Sequence, residues 1–87
     1  GPNLTTSVEN LDPLSDYSVA PIPSNGILEV FGDMNGVKLK LLDGIGQVIK
    51  DYSLKQSVLI LPEQSGIYYL RLIKDGKPVG SFKIIKF

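Results

Sequence analysis

The chain contains no cysteine, no histidine and no tryptophan, and each absence removes a class of chemistry. Without cysteine there are no disulfides, and the redox compartment leaves no trace in the sequence. Without cysteine and histidine there is no Ser-His-Asp or Cys-His nucleophile, no usual zinc ligand set and no usual general base. Without tryptophan, a sugar platform would rest on four scattered tyrosines, Tyr17, Tyr52, Tyr68 and Tyr69. Tyr68 and Tyr69 point to opposite faces of any strand that holds them, so they do not build one flat surface.

Charge of one sign is missing too. Nine basic side chains balance nine acidic ones, which argues against nucleic acid and against a polybasic membrane anchor. Long apolar runs are absent. Val58 to Leu61 and Ile67 to Leu70 are four residues each, far short of a membrane-crossing helix. Nothing reads as a signal peptide. Gly1-Pro2 is what a tag-removal protease leaves behind, so these two residues are expected to be a tag remnant on a piece of a longer protein.

Two faint chemical patterns remain. Ser53-Leu54-Lys55 and Ser81-Phe82-Lys83 put a serine and a lysine on one strand face. A Ser-Lys dyad needs a desolvated lysine in a cleft, and solvated side chains are the better reading in a chain this small. Asp33-Met34-Asn35-Gly36 starts like a calcium loop. The fifth position would be Val37 and the twelfth Gly44, neither a side-chain ligand, so the stretch is an ordinary turn. Lys38, Lys40, Lys50 and Lys55 read as a solvated face or as protection of sheet edges. The expectation is therefore no enzyme and no cofactor or metal, with function in recognition.

What is present is an all-β rhythm. Eighty-seven residues make one domain that buries only about 60–65% of its unfolded surface. Residues 3–16 are polar and without sustained period, and read as a linker or lead-in. From Tyr17 onward, turn signals recur every eight to twelve residues, the spacing of short strands. Expected strands are Tyr17 to Ala20, Ile27 to Phe31, Val37 to Leu41, Gln47 to Tyr52, Ser57 to Leu61, Ile67 to Lys74 and Lys77 to Phe87. Pro21, Pro23 and Asn25-Gly26 break the chain between the first two, because proline has no N–H for a ladder. Val37-Lys38-Leu39-Lys40-Leu41 alternates without exception, apolar to the core and lysine to water. Asp43 to Gly46 and Asp75-Gly76 are hairpin turns. The count of seven strands suits a two-layer sandwich. Its expected core is Leu28 or Val30, Leu39, Leu41, Val48, Ile60, Tyr68, Leu70 and Leu72.

The last hairpin has a register conflict. A two-residue loop would pair Leu72 with Val79, Leu70 with Ser81 and Tyr68 with Lys83. Lys83 would then face the core while Phe82 and Ile84 faced water. One extra residue, a bulge expected at Gly80-Ser81, reverses every later side chain. The final strand, alternating basic and apolar to Phe87, is expected on the edge or rim of its sheet, where side chains, backbone groups and carboxylate can be read together.

These residues form an ordered set: Pro21 and Pro23; the apolar strand Ile27 to Phe31; Asp43, Gly46 and Ile49; Leu61-Pro62; Gly66, Tyr68 and Leu72; Gly76; and Lys83-Ile84-Ile85-Lys86. The set resembles the C-terminal sorting domains of the type IX secretion system of Bacteroidetes, over residues 17–87. One departure is Ile22, where the family commonly has asparagine between the two prolines. The resemblance implies a seven-stranded antiparallel immunoglobulin-like β-sandwich over 17–87 that carries no catalysis. It implies a sorting signal that takes a parent protein from the periplasm through an outer-membrane translocon to the cell surface or outside. The implied partners are that translocon and a sortase-like peptidase complex, with neither nucleic acid nor membrane insertion, as a monomer or an edge-paired or swapped dimer. The residues expected to be recognised are Gly66, Tyr68, Lys83, Ile84, Ile85, Lys86 and Phe87. The rival readings are a cell-surface adhesion or carbohydrate-binding sandwich, and a structural spacer.

Overall fold

The computed structural model describes residues 6–12, 14–22, 26–52 and 57–87. These hold eight strands and no helix: β1 (Ser7–Asn10), β2 (Ser18–Ile22), β3 (Ile27–Phe31), β4 (Val37–Leu42), β5 (Val48–Tyr52), β6 (Val58–Ile60), β7 (Gly66–Lys74) and β8 (Lys77–Lys86). They form two antiparallel sheets. One has five strands in the order β1-β8-β7-β4-β5, and the other three in the order β2-β3-β6. The all-β expectation holds, with eight strands in place of seven.

The alternation of β4 does what its pattern demands. Val37, Leu39 and Leu41 are buried, and Lys38 and Lys40 turn outward. Leu39 and Leu41 lie directly opposite Leu72 and Leu70, and Leu70 lies opposite Phe82. From the smaller sheet, Leu28, Val30 and Leu59 close the same core. Leu28 and Val30 are both inside, because they are two residues apart on one strand face. Tyr52 joins the layers: its hydroxyl donates to the Ile60 carbonyl at 3.1 Å.

Two expected core residues lie outside. Ile60 is 65% exposed, because β6 turns Leu59 inward opposite Leu28. Val48 is 48% exposed, because a register shift between Leu41 and Leu42 sets it opposite Leu42, with Ile49 as the extra residue.

The final hairpin closes on Asp75 (φ 52°) and Gly76 (φ 75°), the left-handed pair that a type I′ turn requires. A bulge does repair the register, but it comes earlier than expected. Ile73 pairs with Pro78 and Leu72 with Gly80, which leaves Val79 as the extra residue. Val79's carbonyl finds a partner off the ladder, accepting from the Ser15 hydroxyl at 2.7 Å. A side chain at position 80 would press on that hydroxyl, because a Cβ there would sit 3.0 Å from it. Glycine is what lets Ser15 reach the bulge.

Ser15 also corrects the lead-in. Residues 3–16 are not a loose linker throughout, for Ser7–Asn10 pair with β8 as an edge strand. Leu11 continues the pairing by donating to the Ser81 carbonyl at 2.9 Å. Asn10, Asp12 and Ser15 then fold the corner onto Tyr17 through side-chain bonds to backbone N–H groups two residues on. Residues 1–5, including the expected tag remnant, lie outside the described residues.

Candidate recognition surface

β8 is not an edge strand, contrary to the expected rim position. β7 pairs with it along one side and β1 along the other. Its backbone is therefore occupied on both sides from Phe82 to Ile85, and what it offers outward is side chains.

Alternation splits the expected recognition residues into two groups. Ile84 is wholly buried and Tyr68 is 6% exposed. Tyr68 faces Ile84 across the ladder, and its hydroxyl donates to the Gln64 carbonyl at 2.6 Å. Lys86 is also inside. It is 7% exposed, its stem runs against Gly26, and its ammonium donates to the Glu63 carbonyl at 2.6 Å. Lysine can bury its four-carbon stem while the charged head reaches a polar group. Lys86 and Tyr68 thus both hold the loop between Leu61 and Gly66. Ile84, Tyr68 and Lys86, all expected as contact residues, are thus buried and do not present their side chains on the surface. Gly66 opens β7 opposite Lys86 at φ 153°, with open space where a Cβ would sit, so its tie is to backbone shape.

Lys83, Ile85 and Phe87 form the other group. Lys83 and Ile85 lie on the outer face, partly buried, and Phe87 follows the strand at 51% exposure. The register builds a surface around them that the sequence alone does not reveal. One row runs Ser7, Ile85, Ile67 across β1, β8 and β7. The next runs Glu9, Lys83, Tyr69, Leu42, adding β4. A third runs Ser81, Arg71, Lys40, Asp51 out to β5. Ile67 is 44% exposed, whereas Leu42, outside the main core, is buried at 4%.

The outer face of the five-stranded sheet is therefore graded. Its end nearest Phe87 is apolar and aromatic, and its middle carries Lys83, Arg71 and Lys40 against Glu9 and Asp51. Opposite charges placed directly across a ladder, as Glu9 and Lys83 are, favour the pairing of their strands. The signal for this surface lies in the odd-numbered residues of Ile67 to Ile73. Reading it requires the register with β8.

The other residues of the ordered set shape the frame. Asp43 accepts the Ile45 and Gln47 N–H groups at 3.1 and 2.9 Å, fixing the β4–β5 turn. Leu61 donates to the Gly26 carbonyl at 2.7 Å and is buried. Ser81 and Lys83 share the open outer face rather than a cleft, and Ser53 and Lys55 lie outside the described residues. Among the described residues no three Asp or Glu side chains gather as a metal site. No family model, no curated protein and no solved structure matches the chain.

Proposed function

We propose that this is a non-catalytic sorting domain with an immunoglobulin-like sandwich. It directs a parent protein from the periplasm through the type IX outer-membrane translocon to the cell surface. The proposal starts from the ordered motif set in the sequence. One structural observation carries it further: the motif strand β8 presents Lys83, Ile85 and Phe87 outward beside Ile67 and Tyr69, as a continuous apolar and cationic surface. The other motif residues, Asp43, Leu61, Tyr68, Leu72 and Ile84, build the frame beneath it. A motif divided in this way serves a domain that is read by its face. The translocon and its sortase-like peptidase are the proposed readers, and the domain needs no cofactor for this role.

The test fuses residues 3–87 to a reporter in a type IX-competent host and follows the reporter by surface proteolysis. Export of the reporter to the cell surface is the expected outcome. Retention of a folded fusion in the periplasm overturns the sorting role. In that case, binding on a glycan array would favour the adhesion module, and no binding the spacer.

A further inference from the structure

Ser81, Lys83 and Ile85 carry the outward surface on their side chains, and β1 occupies their backbone. Leu11 donates to the Ser81 carbonyl. An antiparallel ladder alternates its hydrogen-bonded pairs every two residues. Glu9 with Lys83 and Ser7 with Ile85 are then the hydrogen-bonded pairs of this ladder. The N–H groups of Lys83 and Ile85 therefore point to β1, and those of Phe82 and Ile84 to β7.

β1 holds this position weakly. It is four residues long, three of its side chains are exposed, and only Val8 packs against the core. Thr6, just before it, is buried with a hydroxyl that finds no partner, and a buried unpaired hydroxyl opposes the packing that buries it. The contrast with β7 is large: β7 pairs with β8 over nine positions and places Tyr68, Leu70 and Leu72 in the core.

We propose that the β8 edge under β1 is a strand-addition site. An extended segment of another protein, apolar at the position Val8 occupies, replaces β1 and pairs with Ser81 to Ile85. Strand addition draws its affinity from main-chain bonds and its specificity from alternate side chains. Such a segment gains the backbone of the three residues whose side chains form the outer surface. β1 is the cis occupant and stays tethered through the corner at Ser15, so a competing strand must outbind a tethered one. The biological use of this exchange rests on the sorting role proposed above; the exchange itself does not.

The probe is a fluorescent synthetic peptide of residues 3–11 with Thr6→Val, which keeps the strand's shape and drops the unpaired hydroxyl. It is titrated against the full 87-residue chain and against a Ser7→Cys/Ile85→Cys variant. A hydrogen-bonded pair holds its Cα atoms about 5.5 Å apart, within reach of a disulfide, and the chain has no other cysteine. Saturable binding is expected for the wild type and the reduced variant, weakened by at least about tenfold in the oxidised variant. Amide exchange of the unmodified chain should run faster at Lys83 and Ile85 than at Phe82 and Ile84, whether or not the variant folds. The proposal is overturned by absence of saturable binding up to about 1 mM peptide, by equal binding to the oxidised variant, or by equal exchange at all four amides. None of these readouts uses a secretion host. A chain that binds the peptide but is not exported would sink the sorting role alone.

Discussion

On the inner face of β8, Phe82 and Ile84 are 1% and 0% exposed and Lys86 is 7% exposed; on the outer face, Lys83 and Ile85 are half-buried and Phe87 is 51% exposed. Both sets come from one run of six residues. A strand's two-residue period separates them completely, so a motif read as a single block is in fact two interleaved sets. The inner set answers to packing against Leu70, Tyr68 and the loop after Leu61. The outer set is free to answer to a partner. The Val79 bulge decides which set is which, and without it Lys83 would sit in the core.

The strongest test of that comparison attacks the inner set. Phe82→Ala should cost about 3–5 kcal/mol, as aromatic truncations in cores do. Small domains of this kind have a total stability of roughly 5–10 kcal/mol. The urea midpoint should fall sharply, and the melting temperature with it. A loss below about 1 kcal/mol would mean that Phe82 does not hold the two sheets together.

A smaller effect concerns the tie between the layers. Burial raises the Tyr52 hydroxyl above its usual value of 10.0. The neutral phenol is thus favoured in the folded state. Its contribution is fully present below the unfolded pKa and is lost as pH rises through the higher folded one. Thermal melts should therefore fall above about pH 10. Tyr52→Phe should lose about 1 kcal/mol at neutral pH, the worth of its bond to the Ile60 carbonyl, and should show a shallower alkaline fall. An unchanged alkaline slope in the variant would assign that fall to other groups.

Much of the frame is legible in the sequence because local chemistry dictates it. Val37 to Leu41 alternates on its own, and Asp75-Gly76 suits one turn type. The alternation of the last hairpin demands a bulge by itself, since Lys83 and Phe82 must otherwise exchange faces. The bulge's position is not legible, because the Ser15 hydroxyl that caps Val79 comes from 64 residues away. β1 is hidden for a similar reason. Ser7-Val8-Glu9-Asn10 has one apolar residue, and its strand conformation comes from pairing with β8 rather than from its own preference. Ile60 and Leu59 are adjacent apolar residues, and only the pairing of Leu59 with Leu28 decides which one enters the core. Lys86 reads as a surface charge because composition cannot show a stem lying against Gly26. The outer surface is half legible: alternation picks out Lys83, Ile85 and Phe87, whereas Ile67 and Tyr69 need the ladder to bring them alongside.

The smallest expected change in stability carries the central claim. Ile67 and Ile85 lie directly opposite each other on the outer face. Replacing both with threonine keeps β-branched strand formers and removes the apolar contact. The loss should be about 0.2–1 kcal/mol, the range for one cross-strand pair, and the melting temperature should barely move. The deciding measurement is surface export of the reporter fused to residues 3–87, compared between the wild-type domain and the Ile67→Thr/Ile85→Thr domain, with melts of both purified domains. Lost export with a nearly unchanged melting temperature is the predicted result. Export at the wild-type level by that stable variant would contradict the assignment of recognition to the outer face of β8.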